Sequence, residues 1–403
     1  MFLSAKPIRL AFSNMEILFV SHKYPPATGG MEKQSYELIE GMHAHAIVRK
    51  IVYTGEESYF QFFRKLNGRI LSMIHRYPKI GIIHFNDGLI AAVGLWHVGY
   101  THLRRVVTLH GLDVVFPLKV YQRFILPRFN RYDHIVAVSH ATATAAIRRG
   151  IDKKKVSVIA NGIDHQLEPK NNIEDWEQFR HKYHLPAHRK ILVTLGRPVK
   201  RKGFSWFIRE VLPLLPEEYH LVMAGPLSKE PSKVDKLLAG LPERCRTLYM
   251  LFMGYPSDQA ALCTLLNDPA YDKKITHLGK LPLEEVEILL SHAEAFLMPN
   301  IKVEGDMEGF GLVCLEASAC GALVLASALD GITDAIQHQK NGIQVEPENA
   351  EAWSQAIQHR WDTEGQQRYA FRKYTLNHFG WDKMVNDYAV LFKRLCQHKK
   401  RGF

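Results

Sequence analysis

The chain has 403 residues, with 52 Lys and Arg against 41 Asp and Glu, a formal charge of +11. At about 150 residues per domain the length suits two domains, with room for a third, and 46% apolar residues exclude global disorder. Five cysteines with no Cys-x-x-Cys pair argue against a disulfide scaffold, a zinc ribbon or a thioredoxin-type redox site, and the odd count suits a reducing cytoplasm.

In residues 1–14 the apolar runs are broken by Lys6, Pro7 and Arg9. That pattern does not fit a secretory signal, and it reads as an extension ahead of the fold, with Met15 a candidate start. Strands are then expected at 16–21, 48–53, 81–85, 106–110, 134–138 and 156–160. A second series is expected at 190–196, 220–224, 247–253, 276–278, 295–298 and 322–327. Helical patterns fall between most of them, at 31–42, 204–215, 283–292 and 350–359 among others. Strand and helix alternating this way predict an α/β fold of two doubly wound parallel sheets, joined by the polar linker 168–172 (EPKNN). The segment 309–329 has the length of a membrane span. Glu316 near its middle and Gly321 make it a buried helix followed by a buried strand instead.

Ligands of such sheets lie beyond the carboxyl ends of the strands, so the loops there matter most. After the first strand, Gly29 and Gly30 precede a helix, which is either a plain turn or a close backbone approach to an anion. The loop lacks Gly-x-Gly-x-x-Gly, which weakens a nicotinamide-dehydrogenase reading. After the fourth strand comes HGLD, placing His110 and Asp113 at a strand end. His43, His45, His181, His184 and His188 lack the partners of a metal set and read as surface residues. After the first strand of the second series comes GRPVKRKGF, where Arg197 and Lys202 suit phosphate oxygens. In EGFGLVCLE, Gly309 and Gly311 introduce a helix running to Ala319 whose start offers free N–H groups to an anion. Glu308 can accept hydrogen bonds from hydroxyls. Glu316, two turns into an apolar helix, needs a partner. That partner is either a buried cation or a ligand with vicinal hydroxyls such as a ribose.

Taken together these pieces resemble the retaining glycosyltransferases of family 4, which pair two Rossmann-like domains in the GT-B arrangement. Glu308 and Glu316 match the Glu-x7-Glu motif, GRPVKRKGF the Gly-Arg…Lys-Gly element, VSHKYPPATGG the N-terminal glycine loop, TLHGLD the His-Gly-x-Asp turn, and VIANGID the strand end before the linker. FGWDKMVNDYAVLF is similar to the closing helix that returns to the first domain. The match runs from about residue 15 to 395. Two departures stand out: the family's Gly-Gly-x-x-Glu reads DGITD at 330–334, and 255–274 is longer than a minimal member needs.

The resemblance implies a first, acceptor-side domain at 1–168, completed by a helix within 380–403, and a donor domain at 169–379. It implies that Gly29 and Gly30 approach the diphosphate of a nucleotide-sugar, which Arg197 and Lys202 neutralise. Glu316 would hold the ribose. Glu308, with the N–H groups of Gly309, Phe310, Gly311 and Leu312, would hold sugar and phosphate. His110 would lie beside donor sugar and acceptor, Asp113 would support its turn, and Asn161 would sit near the hinge. Protein cations would stabilise the leaving diphosphate, so no cofactor and no metal is expected. The leaving phosphate would take the acceptor's proton on the same face, giving retention without a protein nucleophile. A nonenzymatic nucleotide-sugar-binding subunit and a GT-B epimerase stay open as alternatives.

The charge is uneven. Residues 1–168 carry 22 Lys and Arg against 12 Asp and Glu, 169–370 carry 22 against 27, and 371–403 carry 8 against 2. An anionic surface facing the first domain fits this asymmetry, and the absence of a recognised nucleic-acid module turns it away from DNA or RNA. The stretch 60–77 (FQFFRKLNGRILSMIHRY) has Phe63, Leu66, Ile70, Met73, Ile74 and Tyr77 at helical spacing. It reads equally as a helix lying in a membrane interface or as one facing the core. The stretch 118–131 repeats the basic-aromatic mixture. The expected partners are therefore a nucleotide-sugar, a lipid-linked or glycan acceptor and the inner face of the cytoplasmic membrane.

Overall fold

A computed structural model describes residues 15–227, 242–253, 257–359, 361 and 365–397. The extension read at 1–14 lies outside them. The first sheet contains β1 (Glu16–Ser21), β2 (Ile47–Val52), β3 (Ile80–Phe85), β4 (Arg104–Leu109), β5 (His134–Ala137) and β6 (Val156–Val158), in the order β2-β1-β3-β4-β5-β6. The second contains β7 (Lys190–Leu195), β8 (Tyr219–Ala224), β9 (Ile275–His277), β10 (Ala295–Met298), β11 (Val324–Ser327) and β12 (Ile343–Val345), in the order β12-β11-β10-β7-β8-β9. All pairings are parallel. Strands such as EILFVS and KILVTL are apolar almost throughout because helices cover both faces. The direction of winding reverses between β1 and β3 and between β7 and β10. The loops after these strands therefore border a crevice, as doubly wound sheets require.

Helix Trp381–Gln397 follows the second domain in sequence but packs on the first. Its Trp381, Met384, Val385, Tyr388 and Phe392 join Ile17, Phe19, Leu38 and Ile82 in one buried layer. The chain crosses back at Gly380, where Ile163 N–H donates to the Phe379 carbonyl (3.1 Å) and Trp381 N–H to the Ile163 carbonyl (3.3 Å). A side chain on Gly162 would collide with the Gly380 backbone, so the two connections between domains lie against each other.

The structure corrects the sequence reading in several places. The stretch 247–253 belongs to helix Glu243–Met253, not to a strand. A seven-residue apolar run suits either state, and the helix-forming residues ahead of it extend it to helical length. Strand β12 has only three residues and was not expected. The long stretch 255–274 contains helix Gln259–Leu266, which buries Leu262 and Leu265. Asp258 before it accepts from Ser205 Oγ (2.6 Å) and Ser205 N–H (3.0 Å). The segment 309–329 forms a helix and strand β11 inside the second domain, and no helix among the described residues is long and apolar enough to cross a membrane. Helix Tyr59–Arg76 is capped by Ser58 and turns Phe62, Leu66 and Ile70 into the first domain's core, with Phe63, Met73, Ile74 and Tyr77 packed beside them. Of the two readings of 60–77, the core-facing one is the observed one.

Candidate active site

The two carboxyl-end borders meet. Gly111 has φ +109°, and a Cβ there would lie 2.8 Å from Gly309 Cα; a Cβ on Gly309 would in turn overlap the His110 carbonyl. Only glycines let the HGLD turn of one domain touch the EGFG turn of the other. A Cβ on Gly30 would stand 3.3 Å from the Leu312 side chain, so the Gly29–Gly30 loop faces the same seam.

On the second-domain side, Lys202 precedes a left-handed Gly203 and lies over Gly196, whose missing side chain leaves it room. Its Nζ stands 3.6 Å from Met298 Sδ and 4.0 Å from Glu308 Oε2, and burial lowers its pKa against the pull of Glu308. Arg201 donates Nε–H to Glu308 (3.3 Å) and Nη1–H to Asp306 (3.2 Å). Burial pushes the Glu308 carboxyl up, but the charges of Arg201 and Lys202 outweigh it and hold the group below its usual range. Asp306 and Asp330 go the other way, raised by burial. Asp330 Oδ2 accepts from the Glu308 N–H at 3.2 Å. Arg197 is exposed at the end of β7, and its charge helps depress Lys202.

Helix Leu312–Ala319 starts from Gly311 in the left-handed region (φ +85°) with no side chain capping it. Among its first N–H groups, that of Cys314 bonds the Gly311 carbonyl (2.9 Å), and none is capped by a side chain among the described residues. Phe310 is buried against the second core and Phe379, which anchors the turn. Glu316 has a cation partner, half-buried and from the other domain: Lys33 Nζ at 3.0 Å.

On the first-domain side, Asp113 accepts the N–H groups of His110 (3.0 Å), Gly111 (2.9 Å) and Gly88 (3.0 Å). It therefore shapes the turn, and burial pushes its pKa up. His110 Nε2 lies 2.8 Å from the Asn86 carbonyl, which can only accept, so the proton is on Nε2. Asn161 is buried with no partner for Oδ1 among the described residues, one residue from the Gly162 crossing. His140 reaches across to Asp334, its Nδ1 at 2.5 Å.

The sequence reading did not single out Arg201 or Asp306, although Arg201 adjoins Lys202 and Asp306 lies two residues before Glu308, and it named Asp330 only as the first residue of DGITD. Nothing local signals the Lys33–Glu316 pair, whose members are 283 residues apart.

Residues 175–378 match the model of the family Glycosyl transferases group 1, and residues 16–167 match that of Glycosyltransferase Family 4. An uncharacterized glycosyltransferase of Methanocaldococcus jannaschii is 22% identical over 391 residues, 92% of this chain and 90% of that one. The amylovoran biosynthesis glycosyltransferase AmsK of Erwinia amylovora is 23% identical over 266 residues, 65% of this chain and 56% of that one, under two thirds of its length. HepE of Anabaena, solved in complex with UDP and glucose, superposes with a TM-score of 0.69 at 19% identity, covering 94% of this chain and all of that one. The GT-B fold expected from the motifs is the observed fold.

Proposed function

This chain belongs to the group 1 glycosyl transferases, and from that premise we propose that it moves a sugar, with retention and without a metal, from a nucleoside-diphosphate sugar to a hydroxyl of a lipid-linked or cell-envelope glycan. The observation that carries this reading is the largely buried cation cluster of Lys202 and Arg201 around Glu308, placed against the uncapped helix start at 312 and the His110 turn. Breaking the bond between sugar and phosphate builds positive charge on the ring and negative charge on the diphosphate. Lys202, Arg197 and the N–H groups from Phe310 to Leu312 face the latter, and Lys202, largely buried, acts where a contact counts for more than in water. Glu308 accepts hydroxyls of the donor sugar, and Glu316 exchanges Lys33 for the ribose. The leaving phosphate takes the acceptor's proton on the same face. Because these protein cations meet the developing charge, a metal has no task left. HepE was solved with UDP, which makes a uridine donor the first to try.

For the acceptor we infer a membrane-bound substrate, reached through a different surface from 60–77. Leu118, Val120 and Phe124 are exposed beside Lys119 and Arg123. Nearby, Trp96 is exposed with the Arg128 guanidinium 5.3 Å from its ring centroid. Apolar side chains among cations suit the headgroup boundary of an anionic leaflet, which supports peripheral attachment at the cytoplasmic face. The test is product analysis with a nucleotide-sugar panel: NMR of the new linkage is expected to give the donor's anomeric configuration, unchanged by EDTA. An inverted anomer, or activity abolished by EDTA, contradicts the mechanism. Failure to sediment with anionic vesicles at low salt contradicts the membrane assignment.

A further inference from the structure

The long stretch 255–274 has no task in the transfer chemistry, yet two of its residues, Ser257 and Asp258, hold the loop that carries Arg197 and Lys202. Lys202 ends a one-turn helix, Lys200–Lys202, which is closed by Gly203. Gly203 has φ +65°, and a Cβ there would overlap the Pro299 carbonyl. The position must therefore be glycine, and glycine has no side chain to cap the helical stretch that opens at Phe204. Asp258 supplies that cap from elsewhere in the chain. Its Oδ2 accepts the Ser205 N–H (3.0 Å) and its Oδ1 the Ser205 hydroxyl (2.6 Å). Asp258 also stands at the N-cap position of its own helix, Gln259–Leu266, yet its side chain makes no capping bond there. The residue type suited to cap one helix is turned to its neighbour instead.

Two more bonds join the same segments. The Asp258 N–H donates to the Pro198 carbonyl (2.8 Å), and the Lys200 N–H donates to Ser257 Oγ (2.9 Å). Residues 198, 200 and 205 are thus fixed by Ser257 and Asp258, and Lys202 lies inside that bracket. Asp258 is buried, and burial pushes its carboxyl up against the pull of the Ser205 bonds and of Arg209 and Lys200. Those bonds offset the cost of burying a polar group. Leu262 and Leu265 of the same helix anchor the insertion in the core beside Phe204.

We propose that Asp258 is a positioning residue for the donor diphosphate, acting through Lys202. A lysine on a loose loop loses much of its contact to motion, whereas one whose backbone is bracketed on both sides is preset. The inference rests on the glycosyltransferase reading and adds to it a residue outside the motifs that carry the resemblance.

The experiment uses the full chain labelled with 13C-methyl-methionine. Met298 Sδ lies 3.6 Å from Lys202 Nζ, so the Met298 methyl signal, assigned by its loss in Met298→Leu, reports where the lysine stands. Asp258→Ala is expected to move that signal and to weaken the tightest binder among UDP, GDP and ADP about tenfold, the size of one charge-assisted contact. Asp258→Asn keeps a capping oxygen, so it is expected to leave the signal in place and to bring affinity back to within about threefold of the wild type. Leu265→Ala removes core packing from the same helix and leaves the polar contacts intact. It is expected to lower the melting temperature without moving the Met298 signal or the affinity. An unmoved signal or an unchanged affinity in Asp258→Ala overturns the proposal. So does a Leu265→Ala variant that reproduces both effects, or an Asp258→Asn variant that behaves as the alanine does. If Asp258→Ala fails to fold, Ser257→Ala, which removes the bond to the Lys200 N–H, takes its place. A moved signal with weaker binding is then expected, and the absence of either overturns the proposal. Nucleotide bound equally by the wild type and Asp258→Ala removes the positioning role alone. A wild type that binds none of the three nucleotides contradicts the glycosyltransferase reading, and the proposal with it.

Discussion

The two sides of the seam are built on different physics. The second-domain side is a knot of opposite charges: Arg201 and Lys202 against Glu308 and Asp306, all largely buried, with their ionisation shifted by burial and by one another. The first-domain side is held mostly by hydrogen bonds to backbone, with Asp113 gathering three N–H groups and His110 donating to Asn86. Its surplus of cations lies on the outer surface instead. A half that must meet charge as a bond breaks needs preset charges, because their desolvation is already settled when the reaction starts. A half that must admit an acceptor needs shape and direction.

The largest effect that can break this comparison is expected from Lys202→Ala. Removing one preset charge donor should lower kcat about 10²–10³-fold with the circular dichroism spectrum unchanged. Turnover near that of the wild type would remove the electrostatic role of the second-domain side. Next comes Gly309→Ala. Its new Cβ overlaps the His110 carbonyl of the other domain, so the domains should fold but fail to close. Small-angle scattering should show an expanded molecule, and kcat should fall about 10²-fold, as for other displacements of about 1 Å. An unchanged radius of gyration would mean the seam is not a contact in solution.

Acid should then separate the domains. Burial lowers the pKa of His84 to about 3 and that of His134 to about 4 in the first domain, and that of His220 to about 4 in the second, from the usual 6.5. Each folded pKa lies below the unfolded value. Their stabilising effect is therefore complete above pH 6.5 and is lost as pH falls from there towards 4, because the unfolded chain takes up protons that the fold refuses. Calorimetry at pH 7 and pH 5 should show the midpoint falling, with the first domain more affected. A midpoint unchanged over this range contradicts the buried neutral histidines. The smallest effect is expected from Lys33→Ala. Its pair with Glu316 is more than one third exposed on the lysine side and solvent-screened, so stability should change by less than about 1 kcal/mol. Donor affinity should hold or rise as Glu316 is released, and a clear loss of affinity would place Lys33 in the donor site.

The sheets were legible because buried parallel strands are apolar along their whole length, and the glycine turns at 29–30 and 309–311 punctuate them. The stretch 247–253 misled because its apolar run carries no period that separates helix from strand. Helix Tyr59–Arg76 was legible as a helix but not in what its apolar face meets, since Phe62, Leu66 and Ile70 would look the same against lipid. In the candidate site, the motifs mark Lys202 and Glu308, and the structure places them 4.0 Å apart. Lys33 with Glu316, and Asp258 with Ser205, are joined only by the fold, and no local spacing announces a contact made between domains or between distant segments of one domain.

The central claim is that the charged side of the seam holds a nucleoside diphosphate. Thermal unfolding with UDP-, GDP- and ADP-hexoses tests it most directly, because a ligand bound at 100 times its Kd adds about 2.7 kcal/mol of stability. At least one nucleotide-sugar should raise the melting temperature of the wild type in a concentration-dependent way, and the rise should vanish in Lys202→Ala. No shift with any donor, or an equal shift in the variant, would contradict the account.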